Sequence, residues 1–156
     1  MLNFQTVSAH CDIPCKIYDP GIAQVAALSV ARLLDLIQEI NLGSDSHAAN
    51  ARLSRLVAEK ETEARLVKEE VMIIWGDYFK APQIKQFPEV HELVHSVMQI
   101  ASKCKQNIDP ENGNELIRQL NRFAEIFWDT KGVATHLVMA PYPPSLPIIQ
   151  PILENV

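Results

Sequence analysis

The sequence predicts an all-α fold, an antiparallel four-helix bundle with a proline-rich C-terminal tail. Three observations lead there. Four segments carry apolar residues at a 3.6-residue period, no stretch of strand period competes with them, and the connections between successive segments are short. Short connections make successive helices antiparallel neighbours. A chain of 156 residues is one domain by length and large enough for a single core.

The first segment has Asp19 as N-cap and Pro20 at the first helical position, and it runs to about Leu42, before Gly43. Ile22, Val25, Leu33, Leu36, Ile37 and Ile40 are its expected apolar face. After the loop "GSDS", a long second segment runs from about His47 to Tyr78. Leu53, Leu56, Val57, Ala64, Val67, Val71, Ile74 and Trp75 form its core stripe, and Glu59, Lys60, Glu61, Lys68 and Glu69 are expected on a solvated face. The loop "FKAPQIKQFP", with Pro82 and Pro88, ends it.

A third helix is expected from near Pro88, carrying Val90, Leu93, Val94, Val97, Met98 and Ala101 ahead of the polar "KCKQN". Asp109 caps a fourth, with Pro110 at its first position and Leu116, Ile117, Leu120, Phe123, Ala124, Phe127 and Trp128 on its apolar face. The tail from Ala134 holds "APYPPSLPIIQP", with five of the chain's ten prolines, which excludes a helix. Polyproline II lying on the bundle or on a neighbouring subunit is the expected arrangement.

Composition narrows function. The net charge of −5 and the lack of a basic run argue against a nucleic-acid partner. No apolar run approaches the roughly 18 residues of a spanning helix, so no membrane partner is expected. The nine residues "MLNFQTVSA" lack the positive n-region of a secretory signal and are too short for one, so the expected location is cytoplasmic. Three cysteines in a reducing compartment are not a disulfide framework. An acidic protein that handles an anion needs a local positive field at its site.

Two of those cysteines, with a histidine before the first, lie in "SAHCDIPCKIYDP", residues 8 to 20. Thiolates and imidazole suit late first-row metals. Five residues cannot surround a metal tetrahedrally without strain, but backbone nitrogens could complete a planar nitrogen and sulfur set that favours nickel(II) or copper(II). Pro14 can turn the chain so that Cys15 returns beside Cys11. By spacing alone, a metal site, a thiol redox pair and unrelated cysteines all remain open.

The full string is more specific. "HCDIPCKIYDP" closely resembles the nickel hook of the nickel superoxide dismutase family, and the resemblance continues in order through "IIWGDYFKAP", "FPEVHELV" and "IFWDTKG". It covers roughly His10 to Gly132. It implies that a leader, residues 1–9, is cut off by a leader peptidase so that His10 becomes the N-terminus, with 10–132 as the enzyme domain and 133–156 as an extension. The implied cofactor is a nickel ion held by the His10 amine and ring, the Cys11 thiolate and backbone nitrogen, and the Cys15 thiolate. The implied substrate is superoxide, converted to oxygen and hydrogen peroxide by a nickel(II)/nickel(III) couple, with the His10 ring joining as an axial ligand on oxidation. Tyr18 matches the tyrosine over the open face of the metal, Asp12 the hook aspartate, and Tyr78 and Lys80 the bundle residues that approach the hook. A homohexamer is implied as well.

Three positions depart from the family pattern. Lys16 stands where glycine is common, Ala26 where some members carry a glutamate that steadies the imidazole, and Glu63 where its arginine partner falls. A nickel-binding or trafficking protein without turnover is therefore a second reading. A thiol redox protein using Cys11 and Cys15, and a purely structural bundle, are two more. His47, His91, His95 and His136 read as structural or surface residues, Cys104 as a lone thiol, and the aromatic residues of the helices as core.

Overall fold

The computed structural model describes residues 16–40 and 46–153. Its helices are α1 (Gly21–Gln38), α2 (Ser46–Ile73), α3 (Ala81–Gln86), α4 (Val90–Gln106) and α5 (Pro110–Asp129), followed by strands β1 (Thr135–Met139) and β2 (Pro147–Pro151). α1 and α4 each pack against both α2 and α5, so the four long helices close around one core. The expected N-cap of α5 is formed at Asp109, while α1 begins one residue later than expected, with Pro20 in the cap position and Asp19 bonding the first helical amide. Asp19 Oδ1 accepts from the Gly21 amide at 2.7 Å, and Asp109 Oδ1 from the Glu111 amide at 3.0 Å, with a proline between donor and acceptor in each case.

The buried face of α1 is the expected one at Ile37, with Leu33 and Leu36 half-buried, but not nearer its start. Ile22 and Val25 are exposed, and the core takes Ala23, Ala26, Ala27, Val30, Ala31, Leu34 and Ile37. The reason is closeness of packing. A Cβ added at Gly113 of α5 would sit 2.9 Å from Ala31 Cα and 3.2 Å from Leu34 Cδ1, so these two helices approach across small residues. A larger side chain there would push them apart. α1 also ends at Gln38, short of Leu42. Its 18 residues reach a mean hydropathy of 1.3, the length and apolarity of a spanning segment, contrary to expectation. Half of the helix is buried inside the protein, as befits a core helix.

Of the predicted core stripe of α2 and the turn after it, Ala64, Val67, Val71 and Ile74 are buried while Leu53, Leu56, Val57 and Trp75 are only half-buried, and Lys60 is not on a solvated face. It is 1% exposed, and its Nζ donates to the carbonyls of Lys105 and Asn107, each at 2.8 Å. Those groups lie at the C-terminal end of α4, where carbonyls lack intrahelical partners and a cation is favoured. Burial holds the Lys60 ammonium below its usual range.

Two further elements escaped the sequence reading. The loop after α2 folds its own short helix, α3, and the tail is a β-hairpin rather than polyproline II. β1 and β2 pair antiparallel from Thr135 opposite Pro151 to Met139 opposite Pro147. Prolines are tolerated because they stand at the two ends of β2. The hairpin is docked as expected of the tail. Asn121 of α5 accepts from the Ile149 amide at 3.0 Å and donates to the Pro147 carbonyl at 2.8 Å, while Gln24 of α1 donates to the Ile149 carbonyl at 2.8 Å. Ala140 and Ile148 complete the buried contact.

Candidate metal centre

The predicted ligands His10, Cys11 and Cys15, together with Asp12, lie outside the described residues. The chain enters view at Lys16, covalently next to Cys15, and from there the surroundings of the site can be built. Lys16 and Tyr18 lie on the segment before α1. They line a cavity of about 480 Å³ together with Asp77, Tyr78, Lys80, Pro82, Gln83 and Lys131. Thus Tyr18, Tyr78 and Lys80, separated by up to 62 residues in sequence, share one wall.

The end of α2 positions most of that wall. Ile74–Tyr78 widens into a single π turn, closed by the Phe79 amide donating to the Ile74 carbonyl at 3.3 Å. One extra residue in the turn changes the directions of the side chains that follow, and such turns recur at functional sites. The backbone then extends through Phe79 and Lys80 into α3. Phe79 turns into the core beside Phe123, at 5.8 Å between centroids, leaving Tyr78 and Lys80 toward the cavity. Lys80 Nζ donates back to the Gly76 carbonyl at 2.8 Å, which fixes its ammonium at the rim.

Tyr78 is held on several sides. Its hydroxyl lies 2.6 Å from Thr130 Oγ1, which itself donates to the Phe127 carbonyl at 2.6 Å. With the threonine proton spent on that carbonyl, Tyr78 O–H donates to Thr130. Its ring meets Phe127 at 4.9 Å and Tyr18 at 5.9 Å between centroids. Tyr18 is half-buried and packs against the core edge through this contact. Lys131 Nζ lies 4.8 Å over the Tyr78 ring and 5.0 Å over that of Phe127, within cation–π range.

Lys131, Asp77, Gln83 and Thr130 were not singled out from the sequence. Lys131 lies within the "IFWDTKG" stretch, but no local pattern marks it. Only the fold carries the end of α5 to the cavity.

The donor chemistry fits nickel. Two thiolates and an imidazole are soft and borderline donors, and backbone nitrogens can complete a planar set. The third cysteine stands apart. Cys104 is buried in α4, and burial pushes its thiol up to about 12, so it stays protonated and a poor ligand. Among the described residues no three histidine, cysteine or carboxylate side chains cluster as a metal site. His91 accepts from Trp75 Nε1 at 2.9 Å and His95 contacts Gln99, so this i, i+4 pair is engaged with neighbours on the helical surface. Ala26 is buried in the α1 core face. Glu63 lines a separate groove with Val25, Ser29, Arg32, Glu59 and Tyr142, and burial, then Glu59, holds its carboxyl above the usual range.

A helical protein that brings three lysines and two tyrosines to one cavity, next in sequence to a pair of cysteines and a histidine, has the positive field and the donor types of a metalloprotein that takes a small anion. The chain belongs to the family of nickel-containing superoxide dismutases, whose sequence model its residues 5–131 match. The nickel superoxide dismutase of Streptomyces coelicolor is 38% identical over 126 residues, spanning 81% of this chain and 91% of that protein. The one from Streptomyces seoulensis is 37% identical over 125 residues, spanning 80% and 90%. A native crystal structure of nickel superoxide dismutase superposes with a TM-score of 0.69 at 34% identity, covering 78% of this chain and 99% of the other.

Proposed function

We propose that the chain dismutates superoxide with a bound nickel ion, and that the cavity beside Tyr18 is where the substrate arrives. The reading is carried by one observation: the residue covalently attached to Cys15 lines a common wall with Tyr18, Tyr78 and Lys80. Family membership supplies the reaction class. Bound nickel would supply a one-electron nickel(II)/nickel(III) couple, reached because thiolates and an ionised amide donate strongly. One superoxide gives up an electron and leaves as oxygen, and a second takes up that electron and two protons and leaves as hydrogen peroxide.

The nickel ligands are assigned as the His10 amine and ring, the Cys11 thiolate and backbone nitrogen, and the Cys15 thiolate. Tyr18 orients or gates the incoming anion from the wall. Tyr78 holds the Tyr18 ring in place while its own hydroxyl is engaged by Thr130. Lys80, tethered to Gly76, supplies fixed positive charge. Asp12, next in sequence to Cys11, is assigned as the aspartate of the hook. We read the helical core as an antiparallel four-helix bundle carrying an N-terminal hook. Residues 1–9 are a leader removed by a peptidase, 10–132 the enzyme domain and 133–156 an extension, in a cytoplasmic homohexamer.

While residues 1–9 remain, the His10 nitrogen is an amide and cannot serve as an amine ligand. A chain beginning at His10 and loaded with nickel should therefore dismutate superoxide, whereas the Met1 form treated identically should bind nickel poorly and be inactive. Robust activity of the uncut chain would sink the coordination assigned here. Silence of both forms with nickel still bound would point instead to a nickel-binding protein without turnover.

A further inference from the structure

Of the three lysines around the cavity, Lys16 occupies its place against a backbone preference. Its φ is +58°, in the left-handed region where the Cβ of most residues is crowded and where glycine, asparagine and aspartate are the usual occupants. A strained residue at the rim of a site is a reason to ask what its side chain contributes. Lys16 is exposed, and it stands with Lys80 and Lys131 around a cavity whose single described carboxylate is Asp77.

The other two lysines are immobilised, Lys80 by the Gly76 carbonyl and Lys131 by two aromatic rings. Among the described residues none of the three joins an ion pair. Arg118 and Arg122, by contrast, are each held by two glutamates. A chain of net charge −5 thus keeps an excess of positive charge at one cavity, three lysines against Asp77 among its described lining residues. Low-dielectric walls focus such a field and raise the encounter rate of an anion.

We propose that Lys16 completes an anion-collecting basin with Lys80 and Lys131, and sets the rate at which superoxide reaches the site. This rests on the functional reading above. Lys16 acts by charge at a distance, so it is a steering residue and neither a ligand nor a proton donor. Lys16 lines the basin from this left-handed backbone, and glycine there would relax the backbone but remove one of its three positive charges.

The test compares nickel-loaded protein beginning at His10 with its Lys16→Asn and Lys16→Arg variants. Asparagine accepts the left-handed backbone without charge, and arginine keeps the charge. With Lys16→Asn, kcat/KM should fall about two- to threefold at low ionic strength and converge with the parent at about 0.5 M salt, with nickel content retained. Lys16→Arg should restore both the rate and its salt dependence. Equal rates and equal salt slopes for Lys16→Asn and the parent would overturn the proposal. So would loss of nickel in Lys16→Asn, which would make the residue structural.

Chloride NMR line broadening by the full chain separates this from the functional reading. Weaker broadening with Lys16→Asn than with the parent supports the basin even if no dismutation is seen, in which case the functional reading alone has failed. Identical broadening by both overturns the basin whatever the activity.

Discussion

Lys60 shows how far one residue can depart from its sequence context. It lies in the run "AEKETEA", where every neighbouring charge argues for solvent, yet its ammonium is sealed between α2 and the end of α4. The periodicity of α2 does place it on the inward side, one turn before Ala64 (i, i+4). Charge type alone misled, because the acceptors at Lys105 and Asn107 belong to another helix. Lys60→Ala should destabilise the fold by about 2–4 kcal/mol, through two orphaned carbonyls and a cavity. Denaturant unfolding of the parent and the variant checks this. The pH dependence has a definite sign. Since burial depresses the folded value below that of an ordinary lysine, the unfolded chain binds this proton more readily between the two values. Parent stability gains a rising contribution with pH across that window, and Lys60→Ala should lose it. A variant as stable as the parent, with the same alkaline slope, would remove Lys60 from the account.

At the level of elements, the C-terminal hairpin depends on a few side chains of the helices. A two-stranded hairpin alone is marginal in water. Here Asn121 reproduces a strand's hydrogen bonding by accepting from the Ile149 amide and donating to the Pro147 carbonyl, and Gln24 adds a bond to the Ile149 carbonyl. The hairpin lies beyond residue 131, where the family match ends. Asn121→Ala should therefore release the hairpin while sparing the cavity on the far end of α2. The expected cost is about 1–3 kcal/mol, with faster proteolysis confined to the segment after Ala134. Limited proteolysis read by mass spectrometry checks this. Protection unchanged from the parent would mean that the Gln24 bond and the apolar contacts of Ala140 and Ile148 suffice to hold the hairpin.

For the whole molecule, the helical order, both proline-led helix starts and the buried stripes of α4, α5 and the later part of α2 were legible because period and capping chemistry are local. The face of α1 near its start was not. Ile22 and Val25 look like core, but the close approach of Gly113 selects the alanine side and leaves them outside. Tyr18, Tyr78 and Lys80 were legible through the resemblance, whereas Lys131 needed the fold to reach them. The π turn and the hairpin left no sequence signal strong enough to compete with a continuing helix or a proline-rich tail. The exposed face of α1 bears on assembly. Ile22 and Val25 are 54% and 56% exposed, i and i+3 on one helix, and offer a second copy an apolar contact. If the proposed homohexamer uses this face, Val25→Asp buries a charge at the contact and should shift the mass in sedimentation from hexamer toward smaller species. Its helical circular dichroism should stay that of the parent, since Val25 is 56% exposed in the monomer. A full hexamer in the variant would mean that assembly runs through another surface.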